Sequence, residues 1–189
     1  PGYVERLKKL SEKDKQALLY GNWDIFDGQY FTEWKRDIHV ISPFEIPQHW
    51  RRYFVMDYGL DMLAGYWIAV DPFDNAYVYR EVYQSGLIIS EAARRIREMT
   101  DEEIYANIAP PDLWNRRNDT GRSAADIFAQ HGVYLARATN NRVQGWYDLK
   151  EWLHPVIDEQ GMKTAGIKFF RNCTEIIKCI PLLQFDDKN

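Results

Sequence analysis

The chain has 189 residues, of which 46% are hydrophobic and 15% aromatic, and its net charge is -4. This composition supports one sizeable core with an appendage, and the acidic balance argues against a protein that coats nucleic acid through a global positive potential. The two cysteines lack a nearby pair of histidines and no apolar run approaches the roughly 18 residues of a membrane span, so we expect a soluble, cytoplasmic protein without zinc knuckle, disulfide framework or membrane contact.

The first quarter of the chain differs in character from the rest. Residues 3–20 are charged and helix-prone, with Ser11 as a candidate N-cap and Gly21 as the stop. Residues 22–47 are aromatic but aperiodic, and we interpret them as a long connector packed on a neighbour. Regular alternation of apolar and polar residues begins after Trp50.

Three successive strands are predicted next, at residues 52–57, 64–70 and 75–83. The segment from Asp71 to Asn75 is rich in turn-forming residues, so the second and third strands should form a hairpin. The third strand alternates strictly, which indicates that one of its faces is buried.

Helices and strands alternate in the remainder of the chain. Ser90 and Ser123 are the predicted N-caps of helices over 91–99 and 124–131, and Asn141 that of a helix through Leu153. Strands are predicted at residues 104–109, 133–138 and 167–170. A last helical segment is predicted at residues 173–180. A three-strand meander followed by alternating helices and strands predicts an α/β fold, a mixed sheet flanked by helices.

Two aspartates are the leading candidates for a site. Asp57 ends the first strand and Asp112 follows the fourth by three residues, and ligand sites in such sheets tend to lie beyond the strand ends. Two carboxylates repel each other unless a proton or cation lies between them, and Mg²⁺ prefers such oxygen ligands. Metal-assisted hydrolysis of a phosphodiester is the matching chemistry. Either residue alone is equally consistent with a turn or cap residue.

Other polar residues are weaker candidates. Asp61 lies in the same loop as Asp57 and is more simply interpreted as a solvated turn residue, whereas Glu81 should share a face with Tyr79 and Tyr83 and pair with an arginine rather than bind metal. Five arginines near the later loops are candidate phosphate contacts or solvated side chains: Arg116, Arg117, Arg122, Arg137 and Arg142. No Walker pattern is present, so the chain by itself does not look like an ATPase.

Five blocks of sequence together resemble one known family, the large terminase subunit of tailed bacteriophages and prophages. They are LLYGNWDIFDGQYF from Leu18, VMDYGLD from Val55, YVYREVYQSGLII from Tyr77, APPDLWNRRNDTGRSAADIFAQHGV from Ala109 and NNRVQGWYDLKEWL from Asn140. That family pairs an N-terminal packaging ATPase with a C-terminal nuclease of ribonuclease H-like fold, which cuts concatemeric phage DNA with two divalent metal ions.

The resemblance implies a domain organisation and a function. Residues 1–45 would be the linker from a missing N-terminal ATPase domain, and residues 46–189 a ribonuclease H-like nuclease domain truncated before its C-terminal acidic helix. The implied activity is Mg²⁺- or Mn²⁺-dependent endonuclease cleavage of double-stranded phage DNA by a two-metal mechanism. The implied partners are the portal protein, the small terminase subunit and the ATPase domain, in the cytoplasm of a bacterial host.

The resemblance also implies roles for individual residues. Asp57 matches the first catalytic acid, and Asp112 takes the second role although Pro110 stands where many relatives carry the aspartate. The third acid would lie on a later helix that Asp186 and Asp187 only approach, so we expect weak metal binding and low or absent cleavage. Arg116, Arg117 and Arg142 are the implied DNA contacts.

Two alternatives stay open at this stage. The chain would be a non-catalytic docking module of the packaging motor if the aromatic residues of the connector formed a contact surface; these are Trp23, Phe26, Tyr30, Phe31 and Trp34. The simpler interpretation is that they pack within the chain. Another ribonuclease H-like enzyme, such as a recombinase or junction resolvase, is the second alternative.

Overall fold

The computed structural model describes residues 28–59, 61–116 and 121–184. Several sequence predictions fall outside the described residues: the helix over 3–20, the aromatic residues Trp23 and Phe26, the candidate phosphate contact Arg117, and Asp186 and Asp187 near the chain end.

The described residues form a mixed β-sheet flanked by helices. The strands are β1 (Val40–Ile41), β2 (Arg51–Tyr58), β3 (Met62–Val70), β4 (Ala76–Ser85), β5 (Ala106–Ala109), β6 (Leu135–Arg137), β7 (Val156–Ile157), β8 (Lys163–Thr164) and β9 (Ile167–Phe170). Seven of these described strands form one sheet in the order β1-β9-β4-β3-β2-β5-β6, and β7 pairs only with β8. The predicted α/β architecture with a three-strand meander is therefore confirmed.

Four of the five described helices lie where the sequence predicts helical segments. The helices are α1 (Arg36–His39), α2 (Ile89–Glu98), α3 (Ala124–Gln130), α4 (Arg142–Leu153) and α5 (Thr174–Cys179), with 3₁₀ turns at Pro111–Trp114 and Ile180–Leu182. Ser123 and Asn141 are N-caps as predicted, since their side chains accept the backbone N–H of Asp126 and Gln144. Within the ranges given above, no helix is long and apolar enough to cross a lipid bilayer.

The prediction of Ser90 as an N-cap is wrong. Helix α2 begins at Ile89, so Ser90 lies inside its first turn. The Glu91 carboxylate accepts the backbone N–H of Ile88 at 3.2 Å, which satisfies a donor at the helix start without a serine cap.

The meander β2-β3-β4 carries the centre of the core. Residues of β3 alternate between buried and half-buried positions, and Trp67 packs on Phe54 of β2 with ring centroids 4.5 Å apart. A Cβ on Gly65 would lie 2.7 Å from the Phe54 ring, so this close contact between strands requires glycine. Helix α2 covers this face with Ala92, Ala93 and Ile96, all fully or nearly buried.

Strands β2, β5 and β6 run parallel to one another. Val55 pairs with Ile108 and Ala109 pairs with Arg137, so the three strands are in register near their carboxyl ends. The backbone N–H of Ala138 also bonds to the carbonyl of Ala109 at 2.9 Å. Residues that follow these strands therefore come together at one edge of the sheet.

The aperiodic segment contributes regular structure that the sequence analysis did not predict. Helix α1 and strand β1 lie within it, and β1 pairs in parallel with β9 at the edge of the sheet. Phe31 and Trp34 are only 1% and 2% exposed and belong to the main core, so they form no external contact surface. The origin of residues 1–45 as a linker stays a prediction.

A buried histidine ties this segment to α4. His39 Nε2 lies 2.9 Å from the Leu153 carbonyl oxygen, and Nδ1 accepts the backbone N–H of Lys35 at 3.0 Å while lying 2.7 Å from the Lys35 carbonyl oxygen. The ring stacks on Trp34. Burial lowers the pKa of His39 below 6.5, and this effect outweighs the two carbonyl contacts that raise it. His39 is therefore neutral in the folded protein near neutral pH.

We expect this histidine to make the protein less stable in mild acid. Because the folded-state pKa is lowered, the unfolded chain binds more protons below pH 6.5, so the free energy of unfolding falls as pH decreases below that value, by at most about 1.4 kcal/mol per pH unit. Urea unfolding of His39→Gln should show a shallower loss over this range. His131→Gln, at an exposed position after α3, should behave like the unaltered protein. Equal pH profiles for His39→Gln and the unaltered protein would contradict the assignment.

Candidate functional site

A cavity of about 970 Å³ lies where the carboxyl ends of β2, β5 and β6 meet. Asp57 and Asp112 both line it, together with Arg137 and Arg142. The structure thus brings Asp57 and Asp112, which are distant in sequence, to one cavity. This cavity lies beyond the strand ends, where the sequence analysis expected a site.

Asp57 reaches the cavity because of the alternation along β2. Its neighbours Met56 and Tyr58 lie on the opposite face, where Met56 is buried and the Tyr58 hydroxyl donates to the Leu87 carbonyl at 2.7 Å. Asp57 itself is exposed and pairs across the sheet with the small residue Ala64. A carboxylate in a strand is tolerated at this position because water or a cation can reach it.

Asp112 is presented by the 3₁₀ turn that follows β5. The extended Pro110 leads into the turn, Pro111 occupies its first position, and Leu113 anchors it in the core with only 5% exposure. The backbone N–H of Asn115 donates to the Asp112 carbonyl at 2.9 Å and closes the turn. The turn therefore leaves the Asp112 side chain exposed at the cavity while its neighbour is buried.

The other candidates divide between the cavity and its surroundings. Arg142, the first residue of α4, lines the cavity, whereas Asp61 and Arg116 are exposed and do not. Arg122 lies beside α3, with its guanidinium 3.5 Å from the Gln130 side-chain oxygen. The cavity therefore holds two carboxylates and two guanidinium groups among the described residues, a mixed rather than purely acidic environment.

Glu81 does not have the surroundings that the sequence suggested. Its carboxylate accepts the backbone N–H groups of Glu175 and Ile176 at 2.8 and 3.1 Å, and so caps α5. Among the described residues it pairs with no arginine, and it does not line the cavity. The expected pairing with arginine is wrong.

A β-bulge explains part of this difference. The register between β3 and β4 shifts between Trp67 and Ile68, which leaves Tyr79 unpaired and breaks the strict alternation assumed for the strand. Tyr79 and Arg80 both bond to Glu102 after α2, so Arg80, the arginine that precedes Glu81 in sequence, already has a carboxylate partner. Glu81 then meets α5 at a different part of the sheet surface.

The donor groups of the cavity suit a hard divalent cation. Besides the two carboxylates, the cavity is lined by Asn115, Thr139 and Asn140, which offer oxygen donors. Over the described ranges no group of three or more His, Cys, Asp or Glu residues could hold a metal ion. Mg²⁺ often binds through one or two carboxylates and retains several waters, so this donor set fits it.

Sequence reasoning did not single out Thr139 and Asn140. They follow the end of β6 by two and three residues, so the strand-end rule that selected Asp57 and Asp112 applies to them as well. Their uncharged side chains gave no electrostatic signal of a site.

Replacing Glu81 should affect stability rather than the cavity. Glu81→Ala removes the acceptor for two N–H groups of α5, and we expect the free energy of unfolding to fall by about 1–2 kcal/mol. Urea unfolding measures the loss. The matched control Glu98→Ala, which removes an exposed carboxylate with only a weak 3.7 Å ion pair to Arg94, should change stability by less than about 0.5 kcal/mol. Equal effects of the two substitutions would show that the Glu81 contacts contribute little.

Comparison with known proteins identifies the fold. No protein-family model matches the sequence, and no curated protein matches it at the level of sequence. Solved structures do match. The nuclease domain of the phage P22 large terminase superposes with a TM-score of 0.69 at 19% sequence identity, over 86% of this chain and 82% of that chain.

Two further structures, both from thermophilic phages, agree with this. The large terminase of one such bacteriophage gives a TM-score of 0.67 at 16% identity, over 85% of this chain but only 39% of that protein. The large terminase nuclease of the other phage, G20c, was solved with bound magnesium. It superposes with a TM-score of 0.57 at 11% sequence identity, over 86% of this chain and 84% of that chain. The described chain therefore has the ribonuclease H-like fold of large terminase nuclease domains.

Proposed function

We propose that the chain is the metal-dependent endonuclease domain of a phage DNA-packaging terminase, acting on concatemeric double-stranded DNA. One observation carries the proposal: Asp57 and Asp112 line the same cavity at the carboxyl ends of three parallel strands. The likeness of fold to terminase nuclease domains, one of them solved with magnesium, supports the same conclusion.

The proposed ligands of Mg²⁺ or Mn²⁺ are Asp57 and Asp112. Bound divalent ions would neutralise the phosphodiester and lower the pKa of an attacking water, as in other two-metal nucleases. The Asp57 backbone is held by the antiparallel pairing of β2 with β3, in which Asp57 pairs with Ala64, and the preceding residues Tyr53 to Val55 also pair with β5. The position of Asp112 is set by the 3₁₀ turn in which it lies, because the next residue, Leu113, anchors that turn in the core.

The proposal extends to the remainder of the protein. Residues 1–45 would connect to an N-terminal packaging ATPase, and residues 46–189 would form the nuclease domain that meets the portal protein and the small terminase subunit in the cytoplasm of the host. The chain spans about two fifths of the length of the first of the two thermophilic-phage terminases, which agrees with one domain of a larger motor. Arg142, which lines the cavity, and Arg116 are proposed DNA contacts, and Arg117, which lies outside the described residues, is proposed with them.

Asp57→Asn is expected to abolish DNA cleavage by the complete terminase while leaving the fold intact. The substitution removes a carboxylate charge at an exposed position, so the cost to folding should be within about 0.5 kcal/mol. Nicking of supercoiled plasmid in Mg²⁺ or Mn²⁺ measures activity, and circular dichroism measures folding.

Asp74→Asn is the matched control for this substitution. It makes the same change of charge in the β3-β4 turn, at the opposite end of the sheet, where the backbone is left-handed with φ of 62° and asparagine is well tolerated. Cleavage should be unchanged in this variant. Undiminished cleavage by Asp57→Asn would eliminate the proposed role of Asp57.

Metal binding by the 189-residue chain is expected to be weak. The described part of the cavity supplies two carboxylates, so we expect a Mg²⁺ dissociation constant on the order of millimolar and little plasmid nicking. Isothermal titration with Mn²⁺ and Mg²⁺ should show this affinity, and Asp57→Asn or Asp112→Asn should remove it. Tight binding, or robust nicking by the chain, would contradict the expectation of an incomplete metal site.

A further inference from the structure

We infer that Arg137, held by the ring of Trp114, is the principal phosphate-binding side chain of the cavity. This inference rests on the proposed function, since it assigns a contact for the same nucleic-acid substrate. The sequence grouped Arg137 with four other arginines and gave no reason to prefer it.

Trp114 fixes the position of Arg137. The Arg137 guanidinium carbon lies 5.0 Å from the centroid of the Trp114 ring, within the range of a cation–π contact. Among the described residues, the Arg137 side chain makes no hydrogen bond or ion pair, although two carboxylates line the same cavity. A guanidinium stacked on a ring keeps its N–H edges available, and these edges match the oxygens of a phosphate.

The backbone holds the two partners together. Arg137 is the last residue of β6 and pairs with Ala109, the last residue of β5. The 3₁₀ turn that follows Ala109 carries Asp112 and ends at Trp114, which packs against the core. One short turn thus carries both Asp112, a candidate metal ligand, and Trp114, the ring that contacts Arg137. A phosphate bound by Arg137 and a metal ion bound by Asp112 would therefore lie at a fixed distance from each other.

The other candidate arginines lack this arrangement. Arg142 lines the cavity but has no aromatic partner among the described residues, and Arg116 does not line it. Positioning before binding lowers the entropic cost of ordering a long side chain. Arg137 should therefore contribute more to DNA affinity than either of them.

The test is the salt dependence of DNA binding by the 189-residue chain. Fluorescence anisotropy with a short double-stranded oligonucleotide, in Ca²⁺ to prevent cleavage, is repeated over a series of KCl concentrations. Arg137→Gln should weaken binding about tenfold at low salt and reduce the salt slope by about 1, equally for different DNA sequences. The matched control Arg51→Gln removes the same charge from an exposed position about 20 Å away along β2, and should leave affinity and slope unchanged.

A double substitution tests the role of Trp114. Trp114→Leu should weaken binding less than Arg137→Gln, and the double variant should bind like Arg137→Gln alone, because the ring acts through the arginine. Additive losses would overturn the role of Trp114. An Arg137→Gln variant that binds like Arg51→Gln would overturn the inference but leave the proposed nuclease function standing, whereas a lack of salt-dependent DNA binding by the unaltered chain would overturn both.

Discussion

The parallel alignment of β2, β5 and β6 is the constraint on which the rest of the structure depends. Parallel neighbours end at the same edge of a sheet, so their following residues meet there without any direct link in sequence. Register pairs near the strand ends, such as Ala109 with Arg137, fix this edge to within a residue. Asp57 and Asp112 line one cavity at this edge because β2, which carries Asp57, and β5, which precedes Asp112, end at the same edge as β6.

The larger elements could be predicted because their patterns are long. The strands β2, β3 and β4 span eight to ten residues and α2 spans ten, so each repeats its period several times. Helix α4, in which only Leu153 is buried, was predicted from its Asn141 N-cap instead. Placing Asp57 and Asp112 at a common edge needed only the order of strands and the tendency of sites in such sheets to lie beyond the strand ends. Sequence reasoning therefore predicted the architecture and the place of the cavity.

The features that sequence reasoning missed are short or depend on tertiary contacts. Strand β1 has two residues and α1 has four, which is too few for a period to show. The bulge at Tyr79 is set by pairing with β3 and reverses the faces of β4, so the position of Glu81 could not be predicted from alternation alone. The contact of Arg137 with Trp114 joins residues 23 positions apart in sequence across two strand ends.

An acidic chain can still bind DNA if its charges are arranged unevenly. The net charge of -4 is an average, and local fields at a cavity depend on the groups that line it. Here two guanidinium groups share the cavity with two carboxylates, and a divalent ion between the carboxylates would turn the local balance positive. Under the proposed function, the affinity of the cavity for phosphate would then rise when metal is bound.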